Sequence, residues 1–116
     1  MMTKTQKQAF SIFSSLMNLY YEFVLLKSND LPDSNREQMA QAISFGCALT
    51  REILDGCFAC EPETEEKLTF RFKMHLVRFK EMLDSLQYPS AWATVDSYEK
   101  TTWPSLREEV AIALNS

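Results

Sequence analysis

Two interleaved apolar stripes run through the opening of the chain. Phe10, Phe13, Met17, Tyr20 and Val24 recur at alternating three- and four-residue steps, and Ile12, Leu16, Leu19, Phe23 and Leu26 recur at helical spacing beside them. That period belongs to a helix, so the pattern predicts one over Thr3–Ser28. At about 100° per residue the stripes are centred roughly 120° apart and together cover about half of the cylinder. Ser11, Ser14, Ser15, Asn18 and Glu22 take the rest. A helix with this much apolar surface needs two neighbours, or one neighbour and a partner chain.

The same reading divides the remainder. Asn29–Asp33 is a turn by composition. Ser34 and Glu37 stand at capping-box spacing and open a second helix that runs to about Cys57, with Gly56 as its stop. Its core side carries Met39, Ile43, Gly46, Leu49, Ile53 and Leu54, and Ala40, Ala42 and Ala48 keep it thin. A third helix is expected from Glu61–Pro62–Glu63, since proline and acids suit a first turn. One face of it holds Leu68, Phe72, His75, Phe79, Met82, Leu83 and Leu86. Residues 69–77 also fit a strand, because Phe70, Phe72, Met74 and Leu76 alternate with polar side chains. The helical period is preferred because it extends to Leu86. Tyr88–Pro89 ends this helix, a short helix is expected over Ser90–Tyr98, and Thr101–Pro104 separates it from a last one over Leu106–Leu114.

Composition narrows the architecture. A chain of 116 residues, 46% hydrophobic and 24% charged, suits one domain over 1–116. Two glycines are too few for the tight turns of a sheet-rich fold. The expectation is all-α: an antiparallel helical bundle of three long helices plus one or two short C-terminal helices. A net charge of −4 argues against a general nucleic-acid coat. Cys47, Cys57 and Cys60 are an odd set, fitting free thiols and a cytoplasmic setting. The longest uncharged stretch, Gln8–Tyr21, is too short and polar for a membrane span or a signal sequence.

Candidate chemistry is sparse. Cys57–Phe58–Ala59–Cys60 has the C-x-x-C spacing of zinc and redox sites, but no second ligand pair accompanies it, and no metal or cofactor is expected. His75 is the only histidine, set among the apolar residues of the third helix. With Arg71 it resembles, in residue type, the arginine–histidine pair of helical HEPN ribonucleases, although that family spaces its pair more widely. A small helical enzyme or ribonuclease centred on His75 is therefore a third-ranked reading. Lys67, Arg71, Lys73, Arg78 and Lys80 form a basic run uninterrupted by acids, interleaved with Phe70, Phe72 and Phe79. It could serve a nucleic-acid-associated subunit, the second-ranked reading. There is no glycine-rich phosphate loop, no H-E-x-x-H and no G-x-S-x-G.

Phe70, Met74 and Val77 are placed by their spacing on the side of the third helix away from its main stripe, where a bundle should be wet. Trp92 and Tyr98 belong to an aromatic-rich segment near prolines. These five are the expected contacts with a protein partner. The first-ranked reading is thus a non-enzymatic protein-binding module: a small acidic regulator, adaptor or inhibitor of the kind mobile elements encode, able to form a homodimer, with no membrane role.

Overall fold

The structure, a computed structural model, describes residues 2–26, 33–58, 61–85 and 97–115. Among them are α1 (Lys4–Leu26), α2 (Asp33–Asp55), β1 (Cys57–Phe58), β2 (Glu61–Pro62), α3 (Glu65–Ser85) and α4 (Ser97–Asn115). The helices form an all-α bundle in ring order: α1 packs on α2 and α4, and α3 closes the ring between α2 and α4. α1 and α3 occupy diagonal corners and touch only lightly. The bundle is elongated, 44 × 24 × 22 Å.

Side-chain pairs fix the helix directions. Gln6, near the start of α1, reaches the carbonyls of Ile53 and Leu54 at the end of α2 at 3.4 and 3.3 Å, so these helices run antiparallel. The Thr5 and Thr69 hydroxyls meet at 2.8 Å, which places the starts of α1 and α3 at the same end. Arg107 of α4 reaches Asp84 at the end of α3, 2.7 Å away. The Ser15 hydroxyl donates to Glu109 at 2.8 Å, tying the middle of α1 to α4.

The core is drawn from one stripe of each helix: Ile12, Leu16 and Leu19; Met39, Ile43, Leu49 and Ile53; Leu68, Phe72, Leu76, Phe79 and Leu83; Leu106 and Val110. Of the two stripes on α1, the one through Ile12 faces inward. At Gly46 the neighbouring helices approach closely. A Cβ there would lie 2.7 Å from Leu16 Cδ1 and 2.7 Å from Phe79 Cζ, so α1, α2 and α3 can converge only because the residue has no side chain. Buried Thr50 satisfies its hydroxyl within α2 by donating to the Gly46 carbonyl at 2.9 Å.

Helix ends follow local chemistry. α1 opens with a reciprocal cap, in which the Thr3 hydroxyl accepts from the Gln6 N–H at 3.2 Å and Gln6 Oε1 accepts from the Thr3 N–H at 3.1 Å. α2 stops at Gly56, which adopts φ 74°, the left-handed conformation that favours glycine. α3 starts at Glu65, later than Glu61–Pro62 implies. Those two residues instead pair with Phe58 and Cys57 in a small antiparallel ladder, where a proline without an N–H is tolerated at an edge. The Thr64 hydroxyl caps α3 by accepting from the Lys67 N–H at 3.3 Å, with Glu65 and Glu66 in the first turn.

The helical period prevails in α3, and one further boundary moves. Residues 69–77 are helical throughout, which removes the strand alternative. α4 is a single 19-residue helix that includes Trp103–Pro104, longer than the expected Leu106–Leu114. A proline removes one ladder bond and crowds the carbonyl four residues back, which kinks a helix as readily as it stops one. Asp33, the last residue of the expected turn Asn29–Asp33, begins α2, and Ser97–Tyr98 of the expected short helix Ser90–Tyr98 belong to α4, while the rest of both segments and the break at Tyr88–Pro89 lie outside the described residues.

Candidate docking surfaces

α3 is two-faced. Leu68, Phe72, Leu76, Phe79 and Leu83 point into the bundle, whereas Phe70, Met74 and Val77, on the opposite side of the cylinder, are 68, 52 and 50% exposed. Successive members of this outer trio are four and three residues apart, so they line up along one ridge. Phe70 and Met74 border a shallow depression with Thr64, Glu66, Lys67 and Arg71.

The basic residues flank the ridge on both sides, Lys67, Arg71 and Arg78 on one and Lys73 and Lys80 on the other. Several are already engaged. Arg71 pairs with the largely covered Glu63 carboxylate at 3.1 Å. Lys80 pairs with Asp84 at 2.7 Å. The Arg78 guanidinium sits 5.9 Å from the centre of the Phe45 ring. Hydrogen bonds from Lys80 and Arg107 hold the exposed Asp84 carboxyl below the usual aspartate range. This arrangement is an ordinary solvated charged edge, with two of its cations held in ion pairs.

His75 lies half-buried on the seam between α2 and α3. Its ring meets Phe45 edge-on at 6.4 Å, and Phe45 stacks on Phe79 at 6.2 Å. The histidine is therefore part of an aromatic cluster that closes this seam, with Arg78 over its outer edge. His75 and Met82 fall at the margin of the core, and Leu76, which the strand-like alternation obscures, takes the inward position.

The cysteines do not converge. Cys47 is a free, half-buried thiol on α2. Burial raises its pKa, only partly opposed by Arg51, so it stays protonated near neutral pH. Cys57 belongs to the β1–β2 ladder, and Cys60 lies outside the described residues. Among the described residues, no three His, Cys, Asp or Glu side chains gather as a metal site would require. Trp92 lies outside the described residues. Tyr98 falls in the first turn of α4.

Sequence reasoning missed two contributors. Phe45, which organises the α2–α3 seam, stands at helical spacing from Ala42 and Leu49, and that spacing is the signal that could have found it. Gln6 was legible: Thr3-x-x-Gln6 has capping-box spacing before an apolar run.

Compared with protein-family models, curated proteins and solved structures, the chain gives no significant match. No helix among the described residues is long and apolar enough to cross a membrane.

Proposed function

We propose that the chain is a non-enzymatic protein-binding module, a small acidic helical regulator, adaptor or inhibitor that acts by docking α3 on a partner protein. The observation that carries this reading is the ridge of Phe70, Met74 and Val77, left in solvent on a helix whose other side is already filled. Aligned apolar residues one turn apart are the anchors by which a helix face seats in a groove, and their burial supplies the binding free energy. The flanking Lys and Arg give such a contact its orientation and polar rim. Docking of this kind works by occlusion, so it needs no catalytic group.

The pairing of Arg71 and Lys80 with carboxylates, and the seat of Arg78 over Phe45, weigh against the nucleic-acid reading, since engaged cations have less to offer a phosphate backbone.

The test is affinity capture from native extract with the wild-type chain and with a Phe70→Asp/Met74→Asp variant, followed by mass spectrometry. A protein held by the wild type, lost with the variant and insensitive to moderate salt is the expected result. Equal retention by both chains would overturn the proposal. A mobility shift that disappears steeply with salt and depends on Lys67 and Lys73 would favour nucleic acid instead.

A further inference from the structure

The second uncovered strip lies on α1, and its chemistry differs from that of α3. Phe10, Tyr20 and Tyr21 are 52, 50 and 65% exposed, and Met17 is 37% exposed. Phe13 is half-buried beside them. Phe10, Phe13, Met17 and Tyr20 follow a three–four–three spacing, the seam pattern by which one helix packs along another. Next to the strip, a shallow apolar groove opens between α1 and α2, lined by Met17, Tyr20, Ala40, Ile43, Ser44 and Cys47. Ala40 and Ser44 keep its floor low enough for a large side chain to enter.

Charge decides what can occupy this face. No residue from Gln8 to Tyr21 is charged, and none from Met39 to Thr50, in a chain of net charge −4. Because α1 and α2 run antiparallel, with Gln6 beside Ile53 and Met17 beside Ala40, the two neutral stretches lie side by side on one surface. An isologous contact sets a patch against its own copy, so any net charge in the patch repels itself. The α3 ridge, edged by five cations between residues 67 and 80, is poorly suited to such a contact. The α1–α2 face has no such obstacle.

The available area is also adequate. With about 100 Å² from each half-exposed aromatic ring, the strip and its intervening serine and asparagine offer on the order of 500 Å² per copy. Two copies would bury about 1,000 Å² in total, the lower limit for a specific interface and the range of weak, concentration-dependent dimers.

We infer that the α1–α2 face is a homodimer interface, in which Phe10, Met17, Tyr20 and Tyr21 of two copies pack across a two-fold axis and one copy's aromatic side chains enter the other's α1–α2 groove. This contact is separate from α3 docking and stands or falls without it.

Sedimentation equilibrium of the full chain from low micromolar to sub-millimolar concentration tests it, alongside Met17→Asp, Tyr21→Asp and Phe70→Asp. The mutated side chains are all solvent-facing, and thermal melts check that each variant folds. The expected result is a monomer–dimer equilibrium that Met17→Asp and Tyr21→Asp each weaken at least tenfold and Phe70→Asp leaves unchanged. Peptide-level mass spectrometry should show alkylation of Cys47 slowing as the wild-type dimer fills, but not in Met17→Asp. A wild-type monomer throughout, a dimer indifferent to Met17→Asp and Tyr21→Asp, or a dimer that Phe70→Asp dissolves would overturn the inference. None of these results depends on the extract-capture experiment, so the two proposals can fail separately.

Discussion

α1 and α3 stand at diagonal corners of one bundle, and each carries more apolar surface than its neighbours cover. Their inward stripes both repeat at helical spacing and are sealed against the other helices, aliphatic through Ile12, Leu16 and Leu19 on α1 and with Phe72 and Phe79 added on α3. Their outward stripes differ in setting. On α3 the apolar ridge is narrow and lies between rows of Lys and Arg. On α1 the strip is broader and aromatic, and it merges with the uncharged flank of α2. The two proposals rest on that difference in electrostatic surroundings: a dissimilar partner for the α3 ridge and a like surface for the α1 strip.

The sharpest way to break the comparison is within α3 itself. Phe72 is 1% exposed and Phe70 is 68% exposed. Phe72→Ala should cost about 3–5 kcal/mol of stability by opening a cavity, whereas Phe70→Ala should change it by no more than about 0.5 kcal/mol. Urea melts of both variants check this, and similar losses would mean that the ridge is structural. Gly46→Ala comes next. Its methyl group must displace Leu16 or Phe79, and the expected loss is about 1–3 kcal/mol despite alanine's better helix propensity. A neutral or stabilising result would show that the helices can part at this crossing. Gln6→Ala removes the side-chain half of the reciprocal cap on α1 and the reach to the end of α2. It should cost about 1 kcal/mol and raise amide exchange at the shared end of α1 and α2. The smallest effect belongs to Asp84. Its pKa is lowered on folding, so its contribution is fully present above the usual value of 3.8 and is lost as pH falls below it. The wild-type advantage in melting temperature over Asp84→Asn should therefore shrink between neutral pH and pH values below that point. A difference constant with pH would mean that the ion pairs with Lys80 and Arg107 contribute nothing.

Much of this architecture can be read from periodicity. The two apolar stripes of α1, the helical nature of residues 69–77 and the outward trio on α3 all follow from positions repeating at the helical period. The sites that resist reading are those decided by packing across elements. Which of the two α1 stripes turns inward depends on where α2 and α4 lie, and the chain's own pattern is nearly symmetric between them. Leu76 reads as part of an alternating run until the neighbouring helices define its direction. Phe45 gains its role only through His75, Arg78 and Phe79 on another helix. Pro62 and Pro104 carry local meanings that fit more than one conformation, and tertiary context selects a ladder in one case and a helix interior in the other.

The diagonal placement of α1 and α3 has a consequence for assembly. Surfaces that face away from each other do not compete for space, so a ligand seated on one leaves the other open. A pair of chains joined along α1 would carry two α3 ridges, and a target with repeated grooves would then be gripped at two points. The second grip would form at the high local concentration set by the first, strengthening attachment without any additional kind of contact.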